Sequence, residues 1–160
     1  MKKTNLIFLL LILSVSVISF AFGGFGMQLS SSWRKNNFSC DANVVMVNQD
    51  YRLTMAITYF IESEHGIAVL KGELAKGENS YHLSRKTYFN TNNFQNLTNL
   101  TSTLSIKTPA DNVPNTELQK ILPPFYLDKD KKLDFRIYPQ GWRGYVFSTG
   151  YVPAFYCTRY

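Results

Sequence analysis

Histidine and cysteine are scarce in this 160-residue chain, two of each, and the scarcity removes several kinds of chemistry at once. Neither Cys40 nor Cys157 has a histidine or a second cysteine at metal-ligand spacing, so no zinc or redox motif is formed. The chain also lacks a nucleophile elbow, a glycine-rich phosphate loop and a His-Glu metal motif. "DKDKKLD" sets Asp128, Asp130 and Asp134 in a faintly calcium-like spacing. Lys129, Lys131 and Lys132 neutralise it, and the glycine and closing glutamate of a calcium loop are missing, so it reads as a solvated turn. The sequence therefore gives no reason to expect an enzyme, a metal or a cofactor.

Internal repeats and long low-complexity linkers are absent too, and charge of one sign is modest. The formal net charge is +6, of which Lys2 and Lys3 supply a third. The remainder is only mildly basic, which does not favour nucleic acid as a partner.

The N-terminus is where the chain is unusual. After the basic start "MKKTN", Leu6 to Phe22 carries no charge, and low polarity continues through "FGGFGMQL" to Leu29. A stretch of 24 residues exceeds the roughly 20 needed to cross a hydrocarbon core. Residues 1–33 are expected to form an N-terminal transmembrane anchor, with Trp33 at the outer interface and residues 34–160 exported. Ser19-Phe20-Ala21 also offers a small-x-small cleavage site, so a removed signal peptide is the alternative. In an exported domain two cysteines read as one disulfide, here joining Cys40, near its start, to Cys157, near its end. In the chain-entropy picture, closing so long a loop stabilises the fold by somewhat under about 5 kcal/mol.

Periodicity along the domain is that of strands. "RLTMAITYFIE" places Leu53, Met55, Ile57, Tyr59 and Ile61 on one face and Arg52, Thr54, Ala56 and Thr58 on the other. "ANVVMVNQ" precedes it, and "GIAVLKGELAKG", "SYHLSRKTYF" and "LTSTLSIKT" follow, with the Asn-rich "NTNNFQN" read as a turn. The histidines stand near successive turns, where they would face each other across a hairpin. One short helix is expected in "NTELQKIL", capped by Asn115 or Thr116 and stopped by Pro123-Pro124. Its Leu118, Ile121 and Leu122 would pack on the sheet or plug a barrel. With "KLDFRIY", "GYVFST" and "VPAFYCTRY" the count reaches about eight strands. The fold class is mainly β, an antiparallel barrel-like, lipocalin-like domain, because closure removes exposed edges. A sandwich or an open sheet backed by the helix is the alternative.

Aromatic residues make up 15% of the chain, enough for a core and also for a partner surface. The best interface or ligand candidates lie in "QGWRGY": Trp142, Arg143 and Tyr145, where a glycine turn would expose an indole beside a cation. A small apolar ligand is the other use such rings suggest.

The "MKKTNLIFLLLILS" anchor, the strand-rich domain, the two cysteines and the ending "PQGWRGYVFSTGYVPAFYCTRY" resemble the FidL-like membrane proteins of enteric bacteria. Members of that family are encoded beside membrane-spanning transcription regulators of the ToxR type. The resemblance implies a ToxS-like accessory protein of the cell inner membrane, single-pass, with its C-terminal domain in the periplasm. There it would bind and stabilise or modulate the periplasmic domain of a ToxR-type regulator. A soluble periplasmic lipocalin-like ligand-binding protein, freed by cleavage, is the second reading. An outer-membrane barrel is the least favoured, because Arg85 falls within the apolar face of its strand.

Overall fold

A computed structural model describes residues 37–94 and 97–159. The expected anchor over residues 1–33 lies outside the described residues. Among the described residues no helix is long and apolar enough to cross a membrane.

Eight strands run β1 (Asn37–Asn48), β2 (Tyr51–Glu62), β3 (His65–Lys76), β4 (Asn79–Phe94), β5 (Leu97–Lys107), β6 (Lys132–Pro139), β7 (Gly144–Thr149) and β8 (Val152–Arg159). Each pairs antiparallel with its neighbours in sequence, and β8 returns to β1, which closes the barrel. The sandwich and open-sheet alternatives are thereby excluded. Two-residue turns join the first strands, and left-handed residues carry them: Gln49, Ser63 and Gly77, with φ of 52°, 54° and 56°. Most of "NTNNFQN" is strand rather than turn, since pairing of β4 with β5 continues to Phe94↔Leu97. Cross-strand amide pairing extends the hairpin through a sequence whose composition alone suggests a loop.

Between β5 and β6 lie the short helix α1 (Asn115–Leu118) and a 3-10 turn (Pro124–Tyr126). The expected cap does not form: Pro114 occupies the N-cap position and no side chain caps the amides. Proline suits that place because its fixed φ starts the turn, and Glu117 and Leu118 send their amides to its carbonyl oxygen at 3.1 and 3.2 Å. Leu118, Leu122, Phe125 and Tyr126 are buried, so this segment plugs one mouth.

The interior is filled. Every inward residue of β2, from Tyr51 to Ile61, is buried, as the alternation requires. Tyr59 stacks on Phe147 at 5.1 Å, Phe147 on Phe155 at 4.8 Å, and Phe135 meets Phe147 edge-on at 5.3 Å. The Tyr59 and Tyr126 hydroxyls hydrogen-bond to each other in the core. Burial holds both phenols above their ordinary pKa, so they stay protonated. Arg85 does point inward, as its position in the pattern implied. Its Nε donates to Asp111 Oδ2 at 2.9 Å, and both residues are buried.

Where β4 and β5 outrun their partner strands, loops take over the hydrogen bonding. Asn112 donates its amide to His82 O at 3.0 Å, and Asp111 Oδ2 accepts from the amide of Ser84 at 3.0 Å. Asp130 donates to Ser102 O at 2.8 Å, and Ser102 to Lys131 O at 2.9 Å. Among the described residues the ladder between β1 and β8 is Cys40↔Arg159 and Asp41↔Thr158. The Cys40–Cys157 disulfide spans it, with Cα atoms 5.4 Å apart and 117 positions of separation.

Strand alternation sorts the connections by barrel end. The end where the chain enters at Asn37 also carries the β2–β3, β4–β5 and β6–β7 turns and the end of β8. The other carries the β1–β2, β3–β4 and β7–β8 turns and the plug. The histidines do not face each other: His65 pairs with Asn90 and His82 with Glu73, at opposite ends of the β3–β4 hairpin.

Candidate functional site

On the outward face, strict cross-strand register makes one apolar row over four strands: Phe60↔Ile67↔Tyr88↔Leu104. Val69 and Ile106 extend it in the next row, where Lys86 stands between them. Outward positions of a water-facing sheet are usually polar, so this row is a departure from the pattern. Leu104 is 50% exposed.

A cavity of about 510 Å³ opens beside this row at the end where the chain enters. Phe60, Ile67 and Tyr88 line it, and Glu62, His65, Asn90 and Thr103 supply its polar lining. Two local features shape it. The β4–β5 register shifts between Tyr88 and Phe89, a bulge that offsets the two strands. Gly66 lets the Phe89 ring and the Phe60 carbonyl come closer than any Cβ would permit. The His65 imidazole Nδ1 lies 3.0 Å from Asn90 Oδ1, which fixes the ring at the edge of the cavity. An apolar lining with a few fixed polar groups suits a small amphipathic molecule. No group of three or more His, Cys, Asp or Glu able to hold a metal occurs among the described residues.

The residues singled out in "QGWRGY" divide. Trp142 and Arg143 sit in the β6–β7 turn at the same barrel end as the cavity, and Trp142 is 79% exposed. That turn is tied by Gln140 donating to Gly144 O at 2.8 Å and Arg159 donating to Arg143 O at 3.0 Å. Tyr145 instead points inward, where it is buried and stacks on Phe38 at 4.0 Å. Tyr145 is the second residue of β7, beyond the turn, and Gly144 before it is buried as well. Cys40 and Cys157 meet as described above.

A charged clasp at the opposite end fixes α1 to the barrel. Glu117 accepts from the Tyr51 hydroxyl at 2.5 Å and from Lys76 Nζ at 3.0 Å, while Lys120 Nζ donates to Tyr51 Oη at 2.9 Å. The Tyr51 hydrogen bond, then that of Lys76, lowers the Glu117 carboxyl to about 2. The same contacts raise Lys76, chiefly through Glu117, and Lys120, chiefly through Tyr51. Both ammonium groups also lie over the Tyr51 ring, 5.2 and 5.3 Å from its centroid. Two lysines share the one Glu117 carboxylate and the Tyr51 ring, and the cluster is a structural lock for the plug.

The outer row and its cavity escaped sequence reasoning, although the signal was present. Phe60, Ile67 and Tyr88 each fall at the wrong parity for their strand's buried face, whereas Leu104 shares the parity of buried Leu100 and Ser102 and turns outward only beyond the register shift; only the register shows that the four adjoin. No curated protein matches the chain. The model of the YqeJ C-terminal domain does match, over residues 37–157, from the first residue of β1 to the disulfide cysteine of β8, and the chain belongs to that family.

Proposed function

We propose that this protein is a membrane-anchored periplasmic accessory protein whose barrel binds the exported domain of a ToxR-type transmembrane regulator and stabilises or modulates it. The observation that carries this reading is the division between inside and outside. The barrel interior is packed with rings and plugged by α1, while large apolar side chains and a cavity lie on the outer wall. Such a body has its binding capacity on its surface. A disulfide across the β1–β8 junction supports an oxidising compartment. The apolar stretch from Leu6 to Leu29 supports retention at the inner membrane in a single pass. The likeness to FidL-like proteins supports the choice of partner, and no catalytic role is assigned.

A small apolar or amphipathic ligand fits this reading if it occupies the outer cavity between Phe60, Ile67 and Tyr88. The alternative, a freed lipocalin-like carrier, needs room inside the barrel, where Tyr59, Phe147, Phe155 and Phe125 now stand. Purification of the full-length chain from membranes under mild detergent tests the proposal. A single-pass regulator with a cytoplasmic DNA-binding domain should be recovered with it, and the N-terminus should begin at or beside Met1. A mature start just after Ala21, with an extractable lipid and no protein partner, would favour the carrier.

A further inference from the structure

Two neighbouring outward rows make the cavity on the barrel wall. One is the apolar row Phe60↔Ile67↔Tyr88. Beside it, nearer the end where the chain enters, runs a polar row, Glu62↔His65↔Asn90. Residues two apart along a strand share a face, so a molecule lying across this wall meets carbon on one side and heteroatoms on the other. Thr103 adds a hydroxyl to the lining, because it is the residue of β5 left without a register partner at the bulge, between Ser102 and Leu104. The volume of about 510 Å³ falls within the roughly 300–1,000 Å³ of small-molecule sites.

The polar row is set to accept hydrogen bonds from a cation. His65 Nδ1 donates to Asn90 Oδ1 at 3.0 Å, which leaves Nε2 of the neutral imidazole as an acceptor. The Glu62 carboxylate makes no hydrogen bond or ion pair with another described residue. Neither lysine nor arginine occurs among the described lining residues. The charges described around the cavity are Glu64 in the β2–β3 turn, Asp41 on β1 and Lys86 on β4. Asp41 and Lys86 stand in one row on the far side of the apolar one, Asp41↔Thr58↔Val69↔Lys86, and offset each other there. A negative mouth of this kind runs against the net charge of the chain, +6. The Phe60 and Tyr88 rings beside it attract cations as well, through the negative potential over an aromatic face.

We propose that this cavity binds a small amphipathic organic cation, a protonated amine on an aromatic or aliphatic body. This rests on the reading of the outer cavity as a ligand site and is independent of the regulator. The body would lie along Phe60, Ile67 and Tyr88, and the ammonium would donate to Glu62 and to His65 Nε2. A carboxylate in the same place would meet the Glu62 charge and the imidazole lone pair, and an alcohol would forgo the charge. A zwitterionic lipid headgroup is the poorer occupant, since its phosphate would be brought against Glu62 and Glu64.

Titration calorimetry of the full-length chain in a non-ionic maltoside detergent, with protein-free micelles subtracted, compares phenylbutylamine, phenylbutanol and phenylbutyrate. The three share one apolar body and differ in the head group. The amine should bind about tenfold more tightly than the alcohol, and the acid more weakly than either. Glu62→Gln, at an exposed position, should abolish the preference for the amine while leaving alcohol affinity and the melting temperature little changed. Glu73→Gln removes the same charge further along β3, toward the opposite barrel end, and should leave all three affinities as in the parent. Equal binding of amine and alcohol, tighter binding of the acid, an amine preference that survives Glu62→Gln, or an equal loss in Glu73→Gln would overturn the ligand class. In each of those cases retained alcohol binding would keep the cavity as an apolar site. Binding of none of the three would overturn the cavity reading together with the proposal.

Discussion

Removal of Asp111 should be far more damaging than removal of the arginine it binds. Asp111 Oδ2 accepts from Arg85 Nε at 2.9 Å and from the Ser84 amide at 3.0 Å, and Oδ1 accepts from the Val113 amide at 3.0 Å. Lys107 Nζ lies 3.6 Å from Oδ1. Asp111→Ala would leave the buried guanidinium with the Val113 carbonyl at 3.2 Å and would strip the acceptor from two backbone amides. An uncompensated buried charge costs about 3–5 kcal/mol, and the amides push the expected loss to the upper part of that range. Arg85→Met removes the charge along with the packing problem, and Asp111 keeps Lys107 and both amides. Its expected cost is about 1–2 kcal/mol. Urea unfolding of the parent and both variants, followed by circular dichroism, measures the two losses. If Arg85→Met cost as much as Asp111→Ala, the carboxylate would not be the hub of this loop and the argument would fail.

Three further outcomes follow from the same geometry. Replacing Cys40 and Cys157 together by alanine should lower stability by about 2–5 kcal/mol, measured by urea unfolding. A loss below about 1 kcal/mol would mean that other contacts close the β1–β8 junction. Because Glu117 is lowered from 4.5 to about 2 in the folded protein, its contribution is full above its unfolded pKa and is lost as pH falls from there through 2. Acid titration of stability should be shallower over that interval in Glu117→Gln. Tyr145→Ala should cost about 3 kcal/mol or more, while Trp142→Ala should stay within about 1 kcal/mol of the parent and reduce association with the partner.

The eight strands were legible because alternation is a local property: Leu53 to Ile61 on β2 needs no knowledge of neighbours to declare its buried face. The disulfide was legible because two cysteines allow one pairing. Register was not legible, and the candidate site depends on it. Nothing local to Phe60 or Leu104 says that Ile67 and Tyr88 lie between them. Arg85 shows the intermediate case. Its parity placed it inside, yet its partner lies 26 positions away in a loop whose hydrogen bonds substitute for a strand. Tyr145 is buried against Phe38, a contact between distant strands that composition does not give.

The central claim is that the chain acts on a membrane-bound regulator. It is tested most directly by the lifetime of the ToxR-type regulator in cells carrying the full-length chain and in cells lacking it. After synthesis is stopped, the regulator should persist with the parent chain and decay faster without it. Equal decay in the two strains would contradict the claim.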